Sequence, residues 1–392
     1  MKLPSSIIFY FLIISFQLYA QKSPIVSSSL VFPLQGKHVH ASSLVVLPNG
    51  DKLIVWFEGN GERTSDDVKL MGARLEKGKS KWSEPFLMAD TPNIPDCNPV
   101  LFLNKKNQLF LVWIAVQANR WEQSILRFRT SSNYLNLGPP VWDWQDNILL
   151  KPNDSFAVEV EKKLKGLPEL PAGWAGYAPK YDEMIIESSK DPVKRSFGWM
   201  TRIKPLILAN GKVILPLYSD GYNMSIMAIS ADHGESWKPS KPLVGRGPIQ
   251  PALALKKNGN VIALMRDSGD EPSRVQRSES TDGGETWTAA TKTAIPNTAS
   301  LELLTLKDGR WIFVGNDVED GRYRLGLYVS KDEGETWKHS FYVENDSTRK
   351  MSFSYPSLTQ TMNGNVLVSY SFHPTKDLKS IKVVEIEPSL LK

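Results

Sequence analysis

The chain has 392 residues, 41% of them apolar, 23% charged and 10% aromatic, a balance that excludes disordered, collagen-like and coiled-coil proteins. A net charge of +5 with both signs interspersed is too mild to point to a nucleic acid as partner. The single cysteine, Cys97, forbids an intrachain disulfide and reads as a small buried hydrophobe.

At the start, Met1-Lys2, the apolar run Ile7 to Phe16 and Leu18-Tyr19-Ala20 form a charged region, an apolar core and a small-residue cleavage site. Residues 1–20 are therefore expected to be an export signal, and residues 21–392 a single domain. Gln21 follows the expected cut, so no cysteine stands there for a lipid anchor, and no other run nears the ~18 apolar residues of a membrane span. The expectation is an exported protein, periplasmic or secreted, without a membrane anchor, acting as a monomer.

Six hairpin signals follow in order. Each is an apolar strand, a short polar turn and a second apolar strand: Leu44 to Val46 with Asn49-Gly50, Leu101 to Leu103 with Lys106-Asn107, and Leu206 to Leu208 with Asn210-Gly211. Leu253 to Leu255 with Asn258-Gly259, Leu303 to Thr305 with Asp308-Gly309, and Leu358 to Gln360 with Asn363-Gly364 complete the set. Asn-Gly and Asp-Gly between apolar strands favour tight antiparallel turns.

A second repeat follows three of these hairpins, at Ser230 to Trp237, Ser280 to Trp287 and Ser330 to Trp337, with its tryptophans fifty residues apart. In each box Asp accepts backbone amides, Gly supplies positive φ and Trp packs the turn onto the body, a structural role. A worn copy runs from Ala73 to Trp82 and a fainter one from Thr130 to Trp142. The two repeats together predict an all-β, six-bladed β-propeller of four-stranded antiparallel blades. Ser29 to Phe32 is expected to complete the last blade beside Ile381 to Ile386. Residues from about 152 to 197 are an insertion between blades 2 and 3, either a surface elaboration or a rim over the pocket.

In such blades the start of the first strand, the end of the second and the start of the third share one face. Counting back from the hairpin turns gives His40, Asn98, Arg202, Gln250, Ser300 and Tyr355, all polar. Counting forward gives Arg266 and Asp267 among others, and the starts of third strands give Asp67, Arg274 and Arg324. Polar residues recurring at one strand end predict a shared mouth at the central axis. Trp56, Trp113, Trp121 and Tyr218 are candidate stacking platforms for sugar rings.

The boxes and their spacing resemble the sialidase (neuraminidase) superfamily over nearly the whole chain after residue 20. The resemblance implies a glycoside hydrolase that needs no cofactor and takes a glycan bearing a carboxylated sugar. It implies Tyr355 as nucleophile, Asp67 or Asp66 as acid/base, and Arg266 and Arg324 as clamps on the sugar carboxylate, with Arg202, Arg246 and Arg274 as further cations. Asn98 and Asp267 are additional binding candidates. Two positions depart from the family pattern. His40 stands where an arginine is expected, and Gln250 where the glutamate that assists the tyrosine is expected. A glutamine cannot take a proton, so Glu302 or His40 becomes the candidate base. The residues also fit a lyase or histidine-dependent glycosidase on uronate-containing glycans, or a non-catalytic glycan-binding propeller. Of the five histidines only His38 and His40 are close in sequence, so no metal site is expected.

Overall fold

The computed structural model describes residues 23–169 and 180–391. The expected signal lies outside them, as do Trp174 and Tyr177 of the insertion. Among the described residues no helix is long and apolar enough to cross a membrane.

Six antiparallel sheets are arranged around one axis. Blade 1 comprises His38–Val46, Lys52–Gly59, Lys69–Leu75 and Phe86–Ala89, and blade 2 Asp96–Leu103, Leu109–Val116, Ser124–Ser131 and Trp144–Asn147. In blade 3 the first strand is broken into Met200–Thr201 and Leu206–Ile207, followed by Val213–Ser219, Met224–Ser230 and Lys238–Pro239. Blade 4 runs from Pro248–Leu255 through Val261–Asp267 and Arg274–Ser280 to Thr291–Pro296. Blade 5 is Glu302–Thr305, Trp311–Gly315, Arg324–Ser330 and Lys338–Asn345. Blade 6 takes Ser352–Gln360, Val366–His373 and Ser380–Ile386, and its outer strand is Ile25–Leu30 from the N-terminal side. The closure was expected from the sequence, but the strand lies a few residues earlier than the expected Ser29 to Phe32: Ser27 to Leu30 pair antiparallel with Glu385 to Lys382. It covers the outer edge of Ser380–Ile386 and ties the two ends of the ring together.

The core lies between blades, where both faces of the inner strands are covered. That is why Leu109–Val116 is an unbroken apolar run, buried throughout, instead of an alternating one. The boxes cap the face opposite the axial mouth described below. In one, Asp282 Oδ1 accepts the Glu285 and Thr286 amides at 3.1 and 2.9 Å, its Oδ2 accepts the Thr286 hydroxyl at 2.6 Å, and Trp287 is buried beneath. Asp232 holds the Glu235 and Ser236 amides in the same way.

The insertion forms two helices, α1 (Ser155–Lys165) and α2 (Tyr181–Ser189). Phe156, Val160 and Leu164 share one face of α1 and are buried, while Lys162, Lys163 and Lys165 favour its C-terminal end. Asp182 and Glu183 suit the first turn of α2, and Asp182 also pairs with Arg246 at 2.9 Å, pinning the insertion to blade 4. Phe156 packs edge-on against Trp199 and Tyr222, so the insertion is seated on blade 3.

Candidate active site

The inner strands of four blades share one irregularity. In blades 1, 2, 4 and 6 two residues of the first strand oppose one of the second: Ala41-Ser42, Asn98-Pro99, Gln250-Pro251 and Tyr355-Pro356. The first residue of each pair has a left-handed backbone, with φ of 54, 50, 56 and 58° respectively. Such bulges turn a side chain out of the strand's regular alternation. In three of them the second residue is proline, which has no N–H for a ladder and is tolerated in an inner strand at a bulge. Left-handed backbone at a tyrosine costs about 1–3 kcal/mol, a strain the packing around Tyr355 must overcome.

These bulges open on a cavity of about 320 Å³ lined by His38, His40, Glu62, Asn98, Trp121, Tyr218, Asp220, Gln250, Arg266, Arg322, Tyr355 and His373. Tyr355 is its centre. Its phenol oxygen accepts from Gln250 Nε2 and from Arg266 Nη1, each at 3.3 Å. The guanidinium of Arg202, fully buried, lies 4.8 Å from the Tyr355 ring, and that of Arg322 lies 5.3 Å away. Asn98 donates to the Tyr218 hydroxyl at 3.1 Å.

The His40 ring packs 4.1 Å from that of Tyr355, with His38 and His373 each within 6 Å of His40. Burial first, then Arg322 and the other two histidines, hold the His40 imidazole well below its usual range. Burial likewise lowers His38 to about 4 and lowers His373. All three are neutral at pH 7, and His40 Nδ1 and Gln250 Oε1 are buried with no protein partner. Burial raises Glu62, outweighing Arg322 and Arg63, which pull it down. Asp220, exposed at the mouth, is also raised by the low-dielectric wall beside it. The cavity therefore holds two facing cations, two carboxyls biased toward protonation and neutral imidazoles around the Tyr355 phenol, with a second phenol, Tyr218, in its wall. Among the described residues no group of three His, Cys, Asp or Glu side chains is placed to hold a metal ion.

Seven candidates from the sequence meet here: His40, Asn98, Gln250, Arg266 and Tyr355, with the stacking candidates Trp121 and Tyr218. Arg202 lies beneath them. The others lie elsewhere. Asp67 turns back to its own loop, taking the Ser65 hydroxyl at 2.5 Å and the Asn60 amide at 3.0 Å, and Asp66 accepts from Asn119. Glu302 is buried, accepting the Leu358 amide at 3.0 Å and pairing with Lys204 at 3.4 Å. Arg324 is taken by Asp317 at 2.7 Å, Arg274 by Glu319 at 2.6 Å and Arg246 by Asp182. Asp267 holds the Gly269 and Arg274 amides and Lys292, a structural set. Trp56 and Trp113 are fully buried and offer no platform. Arg322 and Glu62, two residues before Arg324 and five before Asp67, occupy the cavity in their place.

A family model for a BNR repeat-like domain matches residues 50–159 and 191–368. The chain belongs to this BNR repeat-like family. The gap in the match falls on the helical insertion. None of the curated proteins matches the chain. Among solved structures, it is similar to a Dyadobacter fermentans protein of unknown function, 17% identical, with a TM-score of 0.67 over 93% of this chain and 98% of that one. A sialidase from Streptococcus pneumoniae is 12% identical, with a TM-score of 0.66 over 94% of this chain and 71% of that one. An intramolecular trans-sialidase from Ruminococcus gnavus, in complex with oseltamivir carboxylate, is 14% identical, with a TM-score of 0.65 over 94% and 99% of the two chains. At these identities the likeness shows the shared fold: a sialidase-like BNR propeller.

Proposed function

We propose that this BNR propeller is an exported exo-glycosidase that removes a terminal carboxylated sugar, of the sialic acid kind, from a glycan. The observation that carries the reading is Tyr355 in its strained bulge, its phenol oxygen held by Gln250 and Arg266 inside a cavity that also contains Arg322 and the carboxyl of Glu62. Guanidinium groups form paired hydrogen bonds with a carboxylate, so Arg266 and Arg322 orient the sugar. Tyr355 Oη attacks the anomeric carbon and gives its proton to the neutral His40 imidazole. Glu62, whose carboxyl burial biases toward its protonated form, protonates the departing oxygen as the old C–O bond breaks. Water then enters, loses a proton to the Glu62 carboxylate and takes the sugar from Tyr355, which recovers its proton from His40. A phenol suits this role because, unlike a carboxylate nucleophile, it approaches an anionic sugar without charge repulsion.

One observation favours a second reading. Both neighbours of the Tyr355 oxygen are donors, so its own proton is held by neither and is available to an acceptor. On a uronate-containing glycan, His40 would take the proton beside the carboxylate. Tyr355 would protonate the leaving oxygen, and a carbon–carbon double bond would form as the C–O bond breaks. Terminal sialosides and uronate-containing glycans, incubated with the purified protein, separate the two. Hydrolysis gives a new reducing end without an ultraviolet chromophore, elimination gives a conjugated one, and a panel without any product removes both readings.

A further inference from the structure

A second cavity, of about 270 Å³, stands beside the first. Its lining includes Glu122, Ser188, Lys194, Phe197, Ser219 and Tyr222. The two cavities share their wall. Trp121 and Asp220 face the inner one, and their immediate chain neighbours, Glu122 on one side and Ser219 and Gly221 on the other, face the outer one. Glu122 stands close enough to Asp220 to help raise its carboxyl, so charge in the outer cavity is felt at the mouth of the inner one.

The far wall of the outer cavity is made by the insertion. Its last residues reach the Trp121-Glu122 loop through Gly198, whose left-handed backbone (φ 74°) packs against Glu122 so closely that a Cβ there would stand 2.8 Å from the Glu122 carbonyl oxygen. That approach requires glycine, and it sets Phe197 at the cavity's edge with 46% of its surface exposed. Tyr222 is held rigidly opposite, its hydroxyl donating to the Ser188 carbonyl at 3.2 Å and its ring stacked on Trp199. The result is aromatic surface flanked by one carboxylate, one ammonium and hydroxyls, with no excess of either charge. This combination takes the apolar face of a neutral sugar ring and hydrogen-bonds its hydroxyl edge.

We propose that the outer cavity is the leaving-group subsite: it binds the neutral sugar unit to which the terminal acidic sugar is joined. The proposal deepens the glycosidase reading and rests on it for the occupant of the inner cavity. Each volume lies near the low end of small-molecule sites, so the adjoining pair suits two joined sugar units better than one large ligand. The insertion, whose middle part falls in the gap of the family match, thereby selects the glycan that follows the acidic sugar.

The test compares sialyllactose with an aryl sialoside of the same acidic sugar, in the wild type, Phe197→Ala and Phe197→Tyr. The ratio of kcat/KM for sialyllactose over the aryl sialoside is expected to fall about tenfold in Phe197→Ala, as for a lost apolar contact, and to recover in Phe197→Tyr, which keeps the ring. An unchanged ratio in Phe197→Ala overturns the subsite. If the wild type turns over neither substrate, the glycosidase reading has failed and saturation-transfer NMR with lactose alone decides the subsite. Lactose signals present in the wild type and lost in Phe197→Ala support it, and no lactose signal in the wild type overturns it.

Discussion

The side-chain amide of Gln250, on blade 4, donates to the phenol oxygen of Tyr355, on blade 6, at 3.3 Å, and both residues sit in left-handed bulges of their inner strands. The pair places a group that cannot accept a proton beside the candidate nucleophile. Replacing Gln250 by Glu introduces an acceptor at that point, and Arg202 and Arg266 nearby favour its ionised form. The expected outcome is that Gln250→Glu raises kcat on an aryl sialoside by about tenfold, at the modest end of general-base effects. Steady-state kinetics check this, and a fall in kcat would show that the amide itself is required.

Glu62 sets the alkaline limb of the pH profile. Its carboxyl is raised by burial, so its protonated, proton-donating form persists to higher pH than that of an exposed glutamate, and activity falls as pH rises through the raised value. Glu62→Gln is expected to lower kcat by about a hundredfold or more on a substrate with a poor leaving group and to flatten that limb. An aryl leaving group, which departs with little help, should be affected far less. Equal losses on both substrates would remove Glu62 as the acid.

The boxes carry stability and not chemistry. Burial pushes the Asp282 carboxyl up, but hydrogen bonds from Thr286, Ser280 and two backbone amides outweigh it and hold the group low. Asp282→Ala leaves those amides without their charged acceptor, and about 1–2 kcal/mol of stability is expected to go with them. Urea unfolding measures the loss, while KM on any substrate should stay unchanged. A KM shift would mean the box face communicates with the axial cavity.

Acid should loosen the fold around the histidine cluster. His38 is lowered to about 4 in the folded protein against about 6.5 when unfolded, so the unfolded chain binds more protons between those values. Its contribution is complete above pH ~6.5 and is lost as pH falls toward 4. Asp96, raised to about 6 by burial, works in the opposite sense, so a single-site comparison is needed to isolate the histidine. His38→Asn should show a smaller drop in Tm between pH 7 and pH 4.5 than the wild type. Parallel profiles would contradict the assignment.

Most of the fold was legible because the propeller writes its period into turn residues. Asn-Gly and Asp-Gly mark the hairpins, and Ser-x-Asp-x-Gly-x-Ser/Thr-Trp marks the opposite face, so six blades could be counted without any contact being known. Strand phase also reached Asn98, Gln250 and Tyr355, because in blades 2, 4 and 6 the counted residue falls at the bulge. The shared Asn98-Pro99, Gln250-Pro251 and Tyr355-Pro356 steps were the visible sign of that bulge. Blade 1 departs by one position: Ala41 takes the bulge and His40 precedes it.

The loop residues were missed for a physical reason. Counting along strands loses meaning once the alternation ends, and Glu62, Asp220 and Arg322 all lie in connections between second and third strands. Arg322 is placed by a backbone bond, its carbonyl accepting the Phe353 amide of the next blade at 2.8 Å. Arg324, at the counted position, is instead held by Asp317. Only the folded chain distinguishes the arginine with a carboxylate partner from the one left to face the cavity.

The most direct measurement is release of fluorophore from an aryl α-ketoside of sialic acid by the wild type and by Tyr355→Phe. Wild-type release, reduced by at least a hundredfold in Tyr355→Phe with unchanged thermal stability, is the result this account predicts. Release that survives in Tyr355→Phe, or none from the wild type on any acidic glycoside, would contradict it.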